Sequence, residues 1–139
     1  AALVVMSSEA AAAAGATPLA RIVAHATHAQ APEWFTTAPV TALRNVLAKA
    51  GWSVADVDLF EVNEAFACVA MAPMTELGIA HDKLNVNGGA LALGHPIGAS
   101  GARLLVTLLN ALQARGGKRG VASLCIGGGE AVALAVELV

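Results

Sequence analysis

Apolar residues recur along this chain with two different periods, and the switch from one to the other marks out the elements. Val40, Leu43, Val46, Leu47 and Ala50 fall at helical spacing and stop at Gly51, which predicts a helix with one buried face. Beyond Pro96, the residues Gly101, Leu105, Leu108 and Leu112 repeat at i, i+4, i+7 and i+11 and end before Gly116. That spacing predicts a second, longer helix, whose opening turn of small residues lets other backbone come close. Val132, Leu134, Val136 and Leu138 instead alternate with small residues, the period of a strand with two unlike faces.

The remaining segments fill in around these. Ala2 to Met6 is a short apolar run of strand type, and Ser7 or Ser8 can cap the alanine-rich helix that follows before Gly15 and Pro18 end it. Leu19 to Thr27 and Val57 to Val62 have strand character, and a helix is predicted from about Glu64 to Leu77, closed by Gly78, with Pro73 as a kink or early stop. Asn85 to Gly94 is too rich in glycine to be regular, and Gly120 to Cys125 joins the last strand through Gly127 to Gly129. The order β-α-β-α-β-α-α-β-β predicts an α/β domain: a five-stranded mixed sheet, mostly parallel with an antiparallel C-terminal edge, and helices on both faces.

Composition narrows the class. A chain of 139 residues holds one domain with a real core, here residues 1–139. With 57% hydrophobic and 13% charged residues, it suits a unit packed on several sides by partners. The opening AALVVM resembles a strand entered midway, so a longer parent is expected. No apolar run approaches the roughly 18 residues of a membrane span, and membrane association is not expected. The net charge is −2 with scattered Lys and Arg, which makes nucleic acid an unsuitable partner.

Cys68 and Cys125 lie far apart without a CxxC pair, so neither a disulfide framework nor a zinc site is expected. A reducing compartment follows: the cytoplasm, or mitochondria or peroxisomes in a eukaryote. His25, His28 and His81 form no metal-binding pattern.

Candidate chemistry falls at the ends of elements, where α/β sheets gather ligands. Asn63 follows the third strand, His95 precedes the long helix, and Cys125 closes the fourth strand. Taken singly, Asn63 is a good helix cap with Glu64 in the first turn, His95 before Pro96 is a second cap, and Cys125 is a small buried hydrophobe. At a helix amino terminus a histidine is held neutral and can donate one hydrogen bond. The triple glycine after Cys125 leaves space and bare amides beside the sulfur, as a reactive thiol requires. Cys68, inside a helix without such surroundings, is assigned to packing.

Three strings carry a resemblance: NEAFA at Asn63 to Ala67, NVNGGALALGHPIGASGAR at Asn85 to Arg103, and CIGGG at Cys125 to Gly129. In this order and spacing they resemble the carboxy-terminal domain of the thiolase family, the acetyl-CoA acetyltransferases and 3-ketoacyl-CoA thiolases. The resemblance implies a sheet of order 3-2-1-4-5 and Claisen condensation, or its thiolytic reverse, on coenzyme A thioesters. No permanently bound cofactor is implied, and acyl-CoA enters as substrate. Cys125 resembles the acid-base cysteine, His95 a donor to the thioester oxygen and activator of the nucleophile, and Asn63 the holder of a water in the same oxyanion hole. Gly127 would offer its N–H to a second oxyanion hole, while Ala65 and Phe66, with His95, would line the pantetheine channel.

This chemistry suits the residue types. An enolate oxygen needs fixed donors shielded from water, and a base near neutrality is met by a cysteine lowered from about 8.5 by a helix terminus or an imidazole. The family's nucleophilic cysteine and most of its CoA-binding loops belong to an amino-terminal half, so the resemblance implies that this segment is inactive alone and works within a dimer or tetramer. Departures from the family pattern are Ala131, where a glycine is usual, and Thr36, Thr37, Ala38 and Pro39 in place of Gly-x-Gly-Pro.

Rival readings fare less well. A ketoacyl synthase of the same superfamily carries His-Thr where this chain has His95 and Pro96. For a nucleotide-binding module, the chain lacks a GxGxxG between strand and helix and a phosphate-loop lysine. A purely structural fragment leaves the Asn63, His95 and Cys125 set unexplained.

Overall fold

Four strands and five helices make up the chain in a computed structural model that describes residues 1–139. The strands are β1 (Ala20–Ala29), β2 (Leu59–Val62), β3 (Arg119–Cys125) and β4 (Glu130–Leu138). The helices are α1 (Ser8–Ala13), α2 (Ala38–Ala50), α3 (Ala67–Leu77), the single turn α4 (Ala90–Leu93) and α5 (Ser100–Arg115). Ser7 caps α1 through its hydroxyl, which accepts from Ala10 N–H at 3.1 Å. Glycines in the left-handed region close α2, α3 and α5 at Gly51, Gly78 and Gly116, the conformation in which a missing Cβ removes the steric penalty. Pro73 is buried inside α3, which runs on past it to Leu77.

The sheet corrects the sequence expectation in number and order. It has four strands in the order β1-β4-β3-β2, not five in the order 3-2-1-4-5. Ala2 to Met6 makes no ladder; it lines an apolar cavity with Ile22, Leu105, Leu109 and Leu134. An apolar run becomes a strand only where a neighbouring edge offers N–H and C=O groups, and this one lies across a face of the sheet. Nor is β4 an edge. The turn after Cys125 folds it back antiparallel on β3, and β1 adds antiparallel to its other side. Only β2 and β3 pair in parallel, so two of the three pairings are antiparallel and "mostly parallel" does not hold.

Helices do cover both faces. Ala131, Ala133 and Ala135 of β4 face the cluster that contains Leu43 and Val46 of α2 with Phe60, Val62 and Val121. Their small side chains let α2 lie close against the sheet. On the other face Leu104, Leu108 and Leu112 of α5 pack on Leu59, Ala122 and Val136. The alternation of neighbours along each strand is what sorts residues between these two cores. β2 is only four residues long, and its outer side meets Leu84 in an isolated bridge to Phe60.

Candidate active site

The parallel neighbours β2 and β3 end side by side, and the candidate residues leave from those ends. Asn63 continues β2 by one more pairing, donating its N–H to the Ser123 carbonyl at 2.9 Å. It is fully buried. It is not a helix cap: α3 starts only at Ala67, and its N-cap Phe66 makes no side-chain cap bond. The Asn63 side chain is thereby free to turn to His95, with Nδ2 at 3.3 Å from Nε2. Its Oδ1 is buried without a partner.

Nor does His95 cap the long helix, whose N-cap is Ala99. Pro96 to Ala99 form a turn, and α5 begins at Ser100. What holds the imidazole is a side chain the sequence reading missed: Ser100 Oγ lies 2.6 Å from Nδ1 and donates to the Pro96 carbonyl at 3.1 Å. Asn63 and Ser100 therefore grip the ring from opposite nitrogens.

The loop that carries His95 is tied to the end of β2. Asn85 adopts φ 48° and turns its amide onto the Val62 backbone, with Oδ1 accepting from Val62 N–H at 2.8 Å and Nδ2 donating to Val62 O at 2.9 Å. The same Nδ2 donates to Glu64 Oε1 at 2.8 Å, while Glu64 Oε2 accepts from Leu91 N–H in the first turn of α4 at 3.1 Å. A Cβ at Gly89 would overlap the Glu64 carboxylate. Glu64 is thus a clasp between two loops and not a first-turn residue of α3. Its only sequence signal was that Glu64 and Asn85 stand inside two of the three strings.

Cys125 closes β3 in the core shared with Ala26, Val62, Val69 and Ala131. Burial pushes its thiol up from the ordinary value, and the nearby Cys68 thiol adds to the rise against a partly offsetting backbone hydrogen bond. The lowered thiol expected from sequence is not found: no helix terminus or cation offsets the loss of solvent here. Cys68 is exposed on α3, not packed inside. Beyond Cys125 the turn is held by Ile126 N–H to Glu130 O at 2.7 Å and Gly129 N–H to Ile126 O at 3.2 Å. Gly129 has φ 97° and a Cβ there would overlap the Gln30 carbonyl. Gly127 differs, since nothing in the chain abuts its Cβ position. Ala131 is fully buried opposite Cys125, so the hairpin closes with its methyl in place. Phe66 is exposed and meets Phe35 edge-on, with ring centroids 6.1 Å apart, and Ala65 packs on the core below it.

On the face of β2 away from Phe60 and Val62, the carboxylate of Glu61 is buried beneath α5, where Arg103 Nη1 donates to it at 3.1 Å. Burial raises Glu61 to about 7, with Arg103 opposing and Glu64 adding to the rise. No helix of the chain is long and apolar enough to cross a membrane.

The family model of the thiolase C-terminal domain matches residues 16–138. The chain belongs to the thiolase family. An acetyl-CoA acetyltransferase of Chromobacterium violaceum is 57% identical over 137 residues, spanning 99% of this chain and 35% of the relative. The crystal structure of the Bacillus anthracis acetyl-CoA acetyltransferase superposes with a TM-score of 0.92 at 46% identity, covering 96% of this chain and 34% of that one. Human mitochondrial 3-ketoacyl-CoA thiolase gives the same TM-score of 0.92 at 45% identity, again covering 96% of this chain and 34% of its own. This thiolase domain therefore spans about a third of the relatives it matches. The stretch matched by the family model includes the departures at Thr36 to Pro39 and Ala131.

Proposed function

We propose that this domain supplies the acid-base cysteine and one oxyanion site of an enzyme that transfers acyl groups between acyl-CoA and acetyl-CoA, by Claisen condensation or its thiolytic reverse. One observation carries the reading: Asn63 and His95 meet at the end of β2 while Cys125 ends the adjoining strand β3. In this reading the Cys125 thiolate removes a proton from the α-carbon of the incoming thioester, or its thiol returns one in the other direction. The negative oxygen of the enolate is met by His95 and by a water held on the unpartnered Oδ1 of Asn63, donors held in place before the charge develops. Gly127 offers its N–H to the second oxyanion, in the open space where its Cβ would stand. Ala65 and the exposed Phe66 line the pantetheine channel.

The raised thiol of Cys125 fits the acid half of this cycle. The base half needs a positive charge brought near the sulfur. The nucleophilic cysteine comes from the remaining two thirds of a longer polypeptide, which in the assembled enzyme forms a dimer or tetramer, and the 139-residue chain alone turns over no substrate. The test is a chimera in which these residues replace the matching third of the Chromobacterium violaceum relative. It is expected to cleave acetoacetyl-CoA in the presence of CoA, and Cys125→Ala within it to lower kcat by about 10²- to 10⁴-fold. A folded chimera without CoA-dependent cleavage, or one indifferent to Cys125→Ala, rejects the reading.

A further inference from the structure

We propose that Ser100 is a positioning residue that fixes the tautomer of His95, keeping hydrogen on Nδ1 and a lone pair on Nε2. The inference rests on the catalytic reading above for its chemical consequence, though not for its geometry. Ser100 is buried, and its Oγ touches only two polar atoms, His95 Nδ1 at 2.6 Å and the carbonyl of Pro96 at 3.1 Å. A hydroxyl has one proton to give. Pro96 stands four residues before Ser100, and serine hydroxyls in helices bond back to the carbonyl at i−4. That carbonyl also accepts from Ala99 N–H and Ser100 N–H; having no hydrogen, it can only receive. With its proton on Pro96, Ser100 Oγ accepts and Nδ1 donates, the pairing that the Asn63 contact on the other nitrogen favours.

The far nitrogen agrees. Nε2 faces Asn63 Nδ2 at 3.3 Å, and an amide nitrogen carries two hydrogens and no acceptor. Nε2 therefore presents its lone pair. In the reverse arrangement, with Nε2–H, the Asn63 amide has to rotate by half a turn, leaving its NH2 where the orphaned Oδ1 now stands in the protein interior. In the chain without a bound water that buried N–H has no partner, and orphaned N–H groups are rarer than under-satisfied carbonyls.

The consequence is an order of events. Neutral His95 cannot donate to a thioester oxygen from Nε2 until it has first taken a proton there. Ser100 thus sets His95 to receive the proton of the nucleophilic thiol, forming the N–H bond as the S–H bond breaks. Only then does the imidazolium become a donor toward the oxyanion. A ring with hydrogen already on Nε2 could do neither in that sequence.

The test reads the tautomer directly from the imidazole ¹⁵N shifts of the histidine-labelled chain, above the pH at which the ring is neutral. His95 is assigned by the loss of its signals in His95→Gln. Magic-angle-spinning spectra serve if the chain self-associates. The expected result is an unprotonated-type Nε2 and a protonated-type Nδ1 at His95. Ser100→Ala moves both shifts toward the averaged values of free imidazole, and Ser100→Thr, which keeps the hydroxyl, restores them. Should Ser100→Ala fail to fold, Ser100→Cys, similar in shape with a poor acceptor, makes the same comparison. A protonated Nε2 in the unaltered chain overturns the proposal, as does an unchanged tautomer in Ser100→Ala. No substrate is involved, so either result leaves the catalytic reading standing, and a failed chimera leaves this one standing.

Discussion

Asn85 holds a left-handed backbone, φ 48°, that most residues avoid, and three hydrogen bonds from its side chain explain why it stays there. Two mimic strand pairing with Val62 and the third reaches Glu64. At about 1 kcal/mol for each bond and about 1 kcal/mol for a Cβ residue at positive φ without such support, Asn85→Ala is expected to cost ~3–4 kcal/mol in urea denaturation. Asn85→Gly loses the bonds and not the backbone fit, so it should cost about 1 kcal/mol less. Equal losses would mean that the backbone conformation carries no strain. Glu61 gives a second expectation at this scale. Its folded value of about 7 stands above the ordinary 4.5, so between those values the folded chain keeps a proton that the unfolded chain has released. The stability it contributes is complete below pH 4.5, declines as pH rises, and is lost above about pH 7. Glu61→Gln should flatten that part of the stability profile, by at most about 1.4 kcal/mol per pH unit. Urea midpoints taken across the interval decide it.

At the scale of elements, α5 lies on the sheet with almost no clearance, and one glycine permits it. A Cβ at Gly120 of β3 would stand 2.9 Å from Leu108 Cγ, Cδ1 and Cδ2. Leu108 is fully buried. Leu108→Ala is expected to cost about 3 kcal/mol by leaving a cavity, and Gly120→Ala about 1–3 kcal/mol by overpacking. Because the new methyl fills part of the new cavity, the double variant should be less destabilised than the sum of the two by about 1 kcal/mol or more. Strict additivity in thermal or denaturant unfolding would show that helix and strand do not meet there. The same close seating sets where Ser100 emerges at the start of α5, and hence where His95 points.

The molecule as a whole leaves a number of large apolar side chains in solvent. Ile97, Val4, Val5, Leu91 and Leu93 are each more than half exposed. They stand near the entry to α5 and along the unpaired first residues, on both sides of the loop that carries His95. Large uncovered apolar patches drive association, and a chain that spans a third of its relatives leaves such surface to be covered. The isolated chain is therefore expected to self-associate, with a sedimentation coefficient that rises with concentration. A monomer at all concentrations that melts sharply would refute this.

Sequence by itself determined the helices α2 and α5, the last two strands and the family. Helical and strand periods are local, a glycine at a helix end announces itself, and the three strings at Asn63, Asn85 and Cys125 are contiguous. It also singled out Asn63 and His95, which meet in the fold. Only the tertiary structure decided that Ala2 to Met6 is no strand, that β4 lies inside the sheet, and that Asn63 answers to His95 and not to a helix end. It alone showed Glu64, Asn85 and Ser100 as the residues that hold the loop and the ring, and the Cys125 thiol as raised. The reason is common to all of these. Strand order, side-chain partners and desolvation depend on which distant segments the fold brings into contact, and no spacing along the chain records that.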